Sequence, residues 1–213
     1  MHLDTELRIE HDKVLLPFIS LEREARTVVV IGMLHVASRV FFEDILSRLD
    51  AYESAGFQIL YEDIESVPST SQESLDHLIN GLEAYGLYSQ IRCIQPKTSW
   101  ASADVSIEDM RENFPQEGDD DENMKDPKKY LHEILIPELQ GIGPEIPNMG
   151  FVIDTRNESA VETILKYAEH GNVVTYWGCA HIPGIIHLLE QSSFSINSIE
   201  WVEAINLENL KKY

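Results

Sequence analysis

His35 and His181 stand in one local frame: a run of apolar residues, a glycine, two further residues, then the histidine. The runs are Thr27-Val28-Val29-Val30-Ile31 before Gly32-Met33-Leu34-His35, and Asn172-Val173-Val174-Thr175-Tyr176-Trp177 before Gly178-Cys179-Ala180-His181. A third run, Phe57 to Tyr61, is followed at once by Glu62 and Asp63. Arg156 follows Phe151-Val152-Ile153 and stands where a helix is expected to open. Two imidazoles and a carboxylate can do two kinds of work. As a ligand set they hold a divalent metal that keeps an open position for water. Without metal, a His–Glu pair activates water as a general base while an arginine stabilises the developing oxyanion. Both chemistries use the same residue types, so the sequence leaves both open. Each residue also has a plainer reading: Glu62 as solvated charge, Arg156 as a surface partner of Asp154. The repeated frame argues against that reading for the histidines. The other six histidines (His2, His11, His77, His132, His170 and His187) sit in no such frame. Cys179 lacks any neighbour that would orient a base toward it, so it reads as a packing residue.

These residues need elements that bring them together. Thr27 to Ile31 is β-branched throughout, the pattern of a strand buried on both faces. Ser38 suits an N-cap for a helix from Val40 to Tyr52, where Phe41, Ile45 and Leu49 recur at helical spacing. Gly56 breaks that pattern before the strand Phe57 to Tyr61. A strand–helix–strand unit predicts parallel pairing of its two strands. Leu7 to Ile9 with Val14 to Leu16 suggests an N-terminal hairpin. Leu75 to Leu87 reads as a helix, and Ile91 to Ile94 as a weak strand closed by Pro96. Asn157 to His170 reads as a helix with Gly171 at its C′ position. Pro183 fits the first turn of a helix ending near Gln191, and Ser195 to Ala204 reads as a last strand. In open parallel sheets, ligands bind beyond the carboxyl ends of the strands. His35, Glu62 and His181 all fall on that edge, with Gly32 and Gly178 expected as sharp turns.

The 213 residues fit one domain, with a flexible acidic loop or small inserted lobe at about 105–150. A helix is expected to start at Ser106. Gln116 to Lys129 is polar and acidic, and a second loop runs from Gly141 to Gly150; the two together could form a lid. Sixteen basic against 37 acidic residues give a net charge of −21. Such a surface repels nucleic acid and anionic membranes and favours a cationic or neutral substrate. Two cysteines, Cys93 and Cys179, make no disulfide framework. The expected location is cytoplasmic, with no transmembrane or signal segment.

The motifs, in their order, resemble the TraB/PrgY–TIKI group within the erythromycin-esterase/ChaN-like superfamily. They are Gly32 to His35, Tyr61-Glu62, Arg156-Asn157, and Gly178 to His181 followed by Ile182-Pro183-Gly184. The segments Gly86 to Gln90 and Trp100 to Asp104 are similar to a middle block of bacterial members, which adds Asp104 as a candidate site residue. The resemblance implies an α/β fold: a mixed, mainly parallel central sheet in a three-layer sandwich of the EreA/ChaN type. It implies hydrolysis, metal-dependent or His-based, with a peptide substrate and His35, Glu62, His181 and Arg156 in the site. A bound metal (Mn, Co or Zn) would take His35, Glu62, His181 and Asp104 as ligands. Two rival readings use the same residues or none of them. One is a binding protein that captures a ligand such as haem without turnover. The other is a non-catalytic protein whose acidic surface docks a basic partner.

Overall fold

A computed structural model describes residues 6–63, 72–105, 126–139 and 149–210. The N-terminal hairpin is present. Strand β1 (Arg8–Glu10) turns through His11 and Asp12, both at positive φ, into β2 (Lys13–Arg23). β2 is far longer than the sequence suggests, because Pro17 does not end it. β3 (Arg26–Met33) pairs antiparallel with β2 from Phe18 onward, so no ladder bond from β3 is asked of Pro17. Gly32 lies against that proline. A Cβ there would stand 2.8 Å from the Pro17 ring. Gly32 is therefore small for close strand packing, and the sharp turn expected of it is absent: β3 continues one residue further.

After a short β4 (Val36–Ser38), Ser38 caps helix α1 (Arg39–Ser54), its Oγ accepting the Phe41 N–H at 3.2 Å. Phe41, Phe42, Ile45 and Leu49 form the buried face of α1, each contributing about 1.5–3 kcal/mol on burial. Gly56, at φ +82°, turns the chain into β5 (Gln58–Tyr61). Helix α2 spans Gln72–Glu83 and stops short of Leu87. Gly86, at φ +74°, releases the chain into β6 (Leu87–Ser89), which pairs antiparallel with β4. The expected strand at Ile91 to Ile94 is instead a single helical turn, α3 (Gln90–Cys93). β7 is Ala101–Ser102.

Asp126 caps α4 (Pro127–Tyr130), accepting N–H groups of Lys128 and Lys129 at 2.9 and 3.3 Å. So the acidic loop expected to reach Lys129 gives way to helix at Pro127. A π-helical turn (Leu131–Leu135) and α5 (Ile136–Leu139) follow. The helix expected from Ser106, the rest of the acidic loop, and most of the loop from Gly141 lie outside the described residues. Helix α6 (Met149–Ala168) begins well before Asn157 and takes in Met149 and Gly150. Gly171 follows it without a positive φ, so the expected left-handed cap is not formed. β8 (Val173–Gly178), a 3₁₀ turn (Cys179–His181), α7 (Ile182–Gln191), β9 (Ser195–Asn206) and α8 (Leu207–Leu210) complete the chain. Pro183 sits in the first turn of α7 as expected.

Among the described residues the main sheet has seven strands. Its order is β9-β2-β3-β8-β5-β7, with β1 beside the start of β2. β3, β8, β5 and β7 pair in parallel, and only β2 runs against the others. β3 and β5 are parallel but do not touch as expected, since β8 lies between them. Alternation along the strands divides the core into two layers. Val29, Ile31 and Met33 of β3 pack with α1, α2 and the π turn. Val28 and Val30 pack with Ala160, Val161 and Ile164 of α6 and Ile182, Ile185 and Leu189 of α7. The fold is thus α/β, a mixed and mostly parallel sheet between helical layers. Among the described residues, no helix is long and apolar enough to cross a membrane.

Candidate functional site

Each of the four parallel strands ends on the same edge of the sheet, and each leads there to at least one candidate residue. β3 leads to His35, β5 to Glu62, β7 to Asp104, and β8 to Gly178 and His181. Arg156 enters from the side, from the second turn of α6 and not from its start.

Arg156 is the hub. Its Nε and Nη2 grip Asp104 Oδ1 and Oδ2 at 3.0 and 2.5 Å, a bidentate pair. Nη2 also donates to Glu62 Oε1 at 2.6 Å, and Nη1 meets His181 Nε2 at 3.2 Å. The Asp104 and Glu62 side chains are each only 3% exposed. Such burial is tolerable because the charges are paired and hydrogen-bonded. Arg156 does not pair on the surface with Asp154.

Glu62 is bonded on both oxygens. Its Oε2 accepts the Gly178 N–H at 2.6 Å, and a Cβ on residue 178 would stand 3.3 Å from that oxygen. The glycine of the second motif is there for close approach to a carboxylate. Burial disfavours ionised Glu62. Arg156, then His35 and His181, then the Gly178 N–H outweigh it and hold the carboxyl below its ordinary range. Arg156 is raised from its ordinary value. Burial works against its charge, but the Asp104 hydrogen bonds and the charge of Glu62 overcome it.

His181 is buried, with its ring edge-on to Trp177 at a centroid distance of 5.3 Å. Its Nδ1 lies 2.8 Å from Asn157 Oδ1. That contact assigns the proton to Nδ1 and leaves Nε2 as the acceptor for Arg156. Burial lowers the His181 pKa, and the nearby Glu62 only partly offsets this. Asn157, named above only as the neighbour of Arg156, is thus a site residue in its own right. Its signal was present: it stands on the apolar stripe of α6, three, four and seven residues before Ala160, Val161 and Ile164. Gly184 completes the arrangement. A Cβ there would fall 2.1 Å from Asn157 Nδ2, so the glycine after Pro183 makes room for the residue that orients His181.

His35 is exposed in the bend between β3 and β4, and a strand rather than a helix follows it. Its carbonyl accepts the Gln90 N–H at 2.8 Å. Desolvation pushes the Cys179 thiol up to about 12, in keeping with the packing role expected of it. Cys93 and Cys179 are both free thiols. Beside Glu62 a cavity of about 260 Å³ opens, walled by Tyr61, Asp63, Gln90, Ile94 and Tyr176 among others.

These residues, as arranged, do not fit a divalent ion. Both nitrogens of His181 are engaged, and a guanidinium occupies the space between His181, Glu62 and Asp104. Among the described residues no group of three or more His, Cys, Asp or Glu side chains is placed to hold a metal. The cavity beside Glu62 gives the haem reading no support, since neither His35 nor His181 is among its described lining residues. The chain matches no protein-family model, no curated protein and no solved structure.

Proposed function

We propose that this chain is a hydrolase of the TraB/TIKI type, working by His-based chemistry with a peptide as substrate. One observation carries the reading. At the ends of the parallel strands a buried carboxylate, Glu62, meets Arg156 and His181, and Glu62 also borders a cavity. Buried charge of this kind costs stability unless something compensates, and it clusters at functional sites.

His35, exposed and near the Glu62 carboxylate, takes a proton from water as the water oxygen attacks the scissile carbonyl carbon. Glu62 stabilises the imidazolium so formed. Four of the five N–H donors of Arg156 are engaged by Asp104, Glu62 and His181. The fifth, on Nη1, serves the oxyanion. When the tetrahedral intermediate collapses, the C–N bond breaks and the proton passes from His35 to the leaving nitrogen. A carboxylic acid and an amine result, and the acid then gives its proton to the amine or to solvent, leaving a carboxylate. Asp104 and Asn157 position Arg156 and His181 and touch no substrate.

The test is turnover of a short-peptide library, with aryl esters beside it, by wild type, His35→Ala and Glu62→Gln, each with and without a chelator. General-base chemistry predicts losses of about 10²–10⁴ in kcat for the two variants and no effect of chelator. Equal turnover by wild type and His35→Ala would refute the hydrolase. Loss of all activity on chelation would refute the metal-free arm.

A further inference from the structure

Among the described residues, Gln90 Oε1 is the only buried side-chain oxygen or nitrogen without a hydrogen-bond partner. Gln90 is 2% exposed and forms a wall of the cavity beside Glu62. An amide oxygen left unpaired in this way costs about 1–3 kcal/mol, and neither the fold nor the site described above uses it. Its terminal torsion is soft, so a donor inside the cavity can draw the oxygen toward it.

The surroundings say what kind of donor. Among the described residues, the cavity wall holds two carboxylates, Glu62 and Asp63, and no Lys, Arg or His. Behind it, Glu62 and Asp104 share the single guanidinium of Arg156. Tyr61 and Tyr176 stack at 6.1 Å with planes 21° apart, and Ile94 and Pro96 lie close by. Tyrosine faces attract cations, and apolar walls accept the hydrocarbon next to one. An anionic ligand is repelled here, and a ligand without a donor leaves Gln90 unpaired.

We infer that this cavity binds the ammonium end of an amine attached to an apolar or aromatic group, with Gln90 Oε1 as its hydrogen-bond acceptor. The inference rests on the reading of this sheet edge as a ligand site. It deepens that reading by making Gln90 a specificity residue: the substrate class becomes peptides or amides that carry an amine beside an apolar or aromatic group.

The experiment is protein-observed NMR titration of the wild-type chain with benzylamine, benzyl methyl ether and benzoate at pH 7. Benzylammonium is expected to shift the Tyr61, Gln90 and Tyr176 resonances. The ether and benzoate are expected to bind at least about tenfold more weakly. Gln90→Leu should weaken benzylamine about tenfold, and Gln90→Glu, which keeps the shape, should strengthen it. Equal binding of the ether or benzoate would overturn the inference. So would weaker amine binding by Gln90→Glu, or shifts that avoid Gln90. Peptide turnover without amine binding removes this inference and keeps the hydrolase. Localised amine binding without turnover of any peptide or ester supports the inference and removes the hydrolase.

Discussion

Arg156→Leu removes the only cation among the described residues that touches both Glu62 and Asp104, which accept from it at 2.6 and 2.5 Å and are each 3% exposed in their side chains. Breaking a buried pair from one side costs about 3–5 kcal/mol, because the partner charge stays behind. Here two carboxylates stay behind, so the upper part of that range applies at pH 7. For a chain of this size that is a fall of about 8–20 °C in Tm. In wild type, the folded pKa of Glu62 lies below its unfolded value. Its stabilisation is therefore complete above the unfolded pKa and is lost as pH falls through the folded one. In Arg156→Leu, burial acts unopposed by the arginine and raises the Glu62 pKa above the unfolded value. The variant then gains relative to wild type as pH falls, since folding now favours the protonated acid. Urea melts from pH 7 to 4.5 should show a gap that narrows steadily. A gap under about 1 kcal/mol at pH 7, or one that stays constant across the range, would refute the account of Arg156 as the hub of a buried ionic cluster.

Two further outcomes follow from the same contacts. Gly184→Ala places a methyl 2.1 Å from the present position of Asn157 Nδ2. It should cost about 1–3 kcal/mol by overpacking and should loosen His181, which a changed His181 ring signal in NMR would report. His181 itself should remain neutral, with its proton on Nδ1, at pH values where an ordinary histidine is half-protonated. Its folded pKa is depressed, so its contribution to stability is full above the unfolded pKa and declines as pH falls below that. Long-range ¹⁵N spectra read the tautomer directly; a protonated ring at pH 6 contradicts the assignment.

Strands β3, β5, β8 and β9 and helix α1 were readable in the sequence, because their burial follows local periodicity and Ser38 and Gly56 mark the ends of α1. Glu62 and His181 were readable because a strand end places them. What escaped depends on partners distant in sequence. The apolar residues of Gln90–Cys93 look like a strand but form one turn, with the Gln90 N–H bonded to the His35 carbonyl. Local pattern gives no sign that β4 and β6 pair, or that β8 enters between β3 and β5. Gly32 was readable as important but for the wrong reason. The space it leaves is filled by Pro17, a residue from the preceding strand. Asn157 was visible as a polar residue on an apolar stripe. Its partner, a histidine 24 residues away, was not.

The position of β8 bears on how the chain assembles. β3 and β5 are made early, yet both take β8 as neighbour, so neither has its inner partner until residues 173–178 exist. As the chain emerges, roughly the first 170 residues carry two hydrophobic strand edges facing a gap. Such open edges invite pairing with other chains. The strand that closes the gap is also the one that carries Gly178 to Glu62 and leads on to His181. Completion of the sheet and completion of the site are thus one event, and a chain cut short of it has neither.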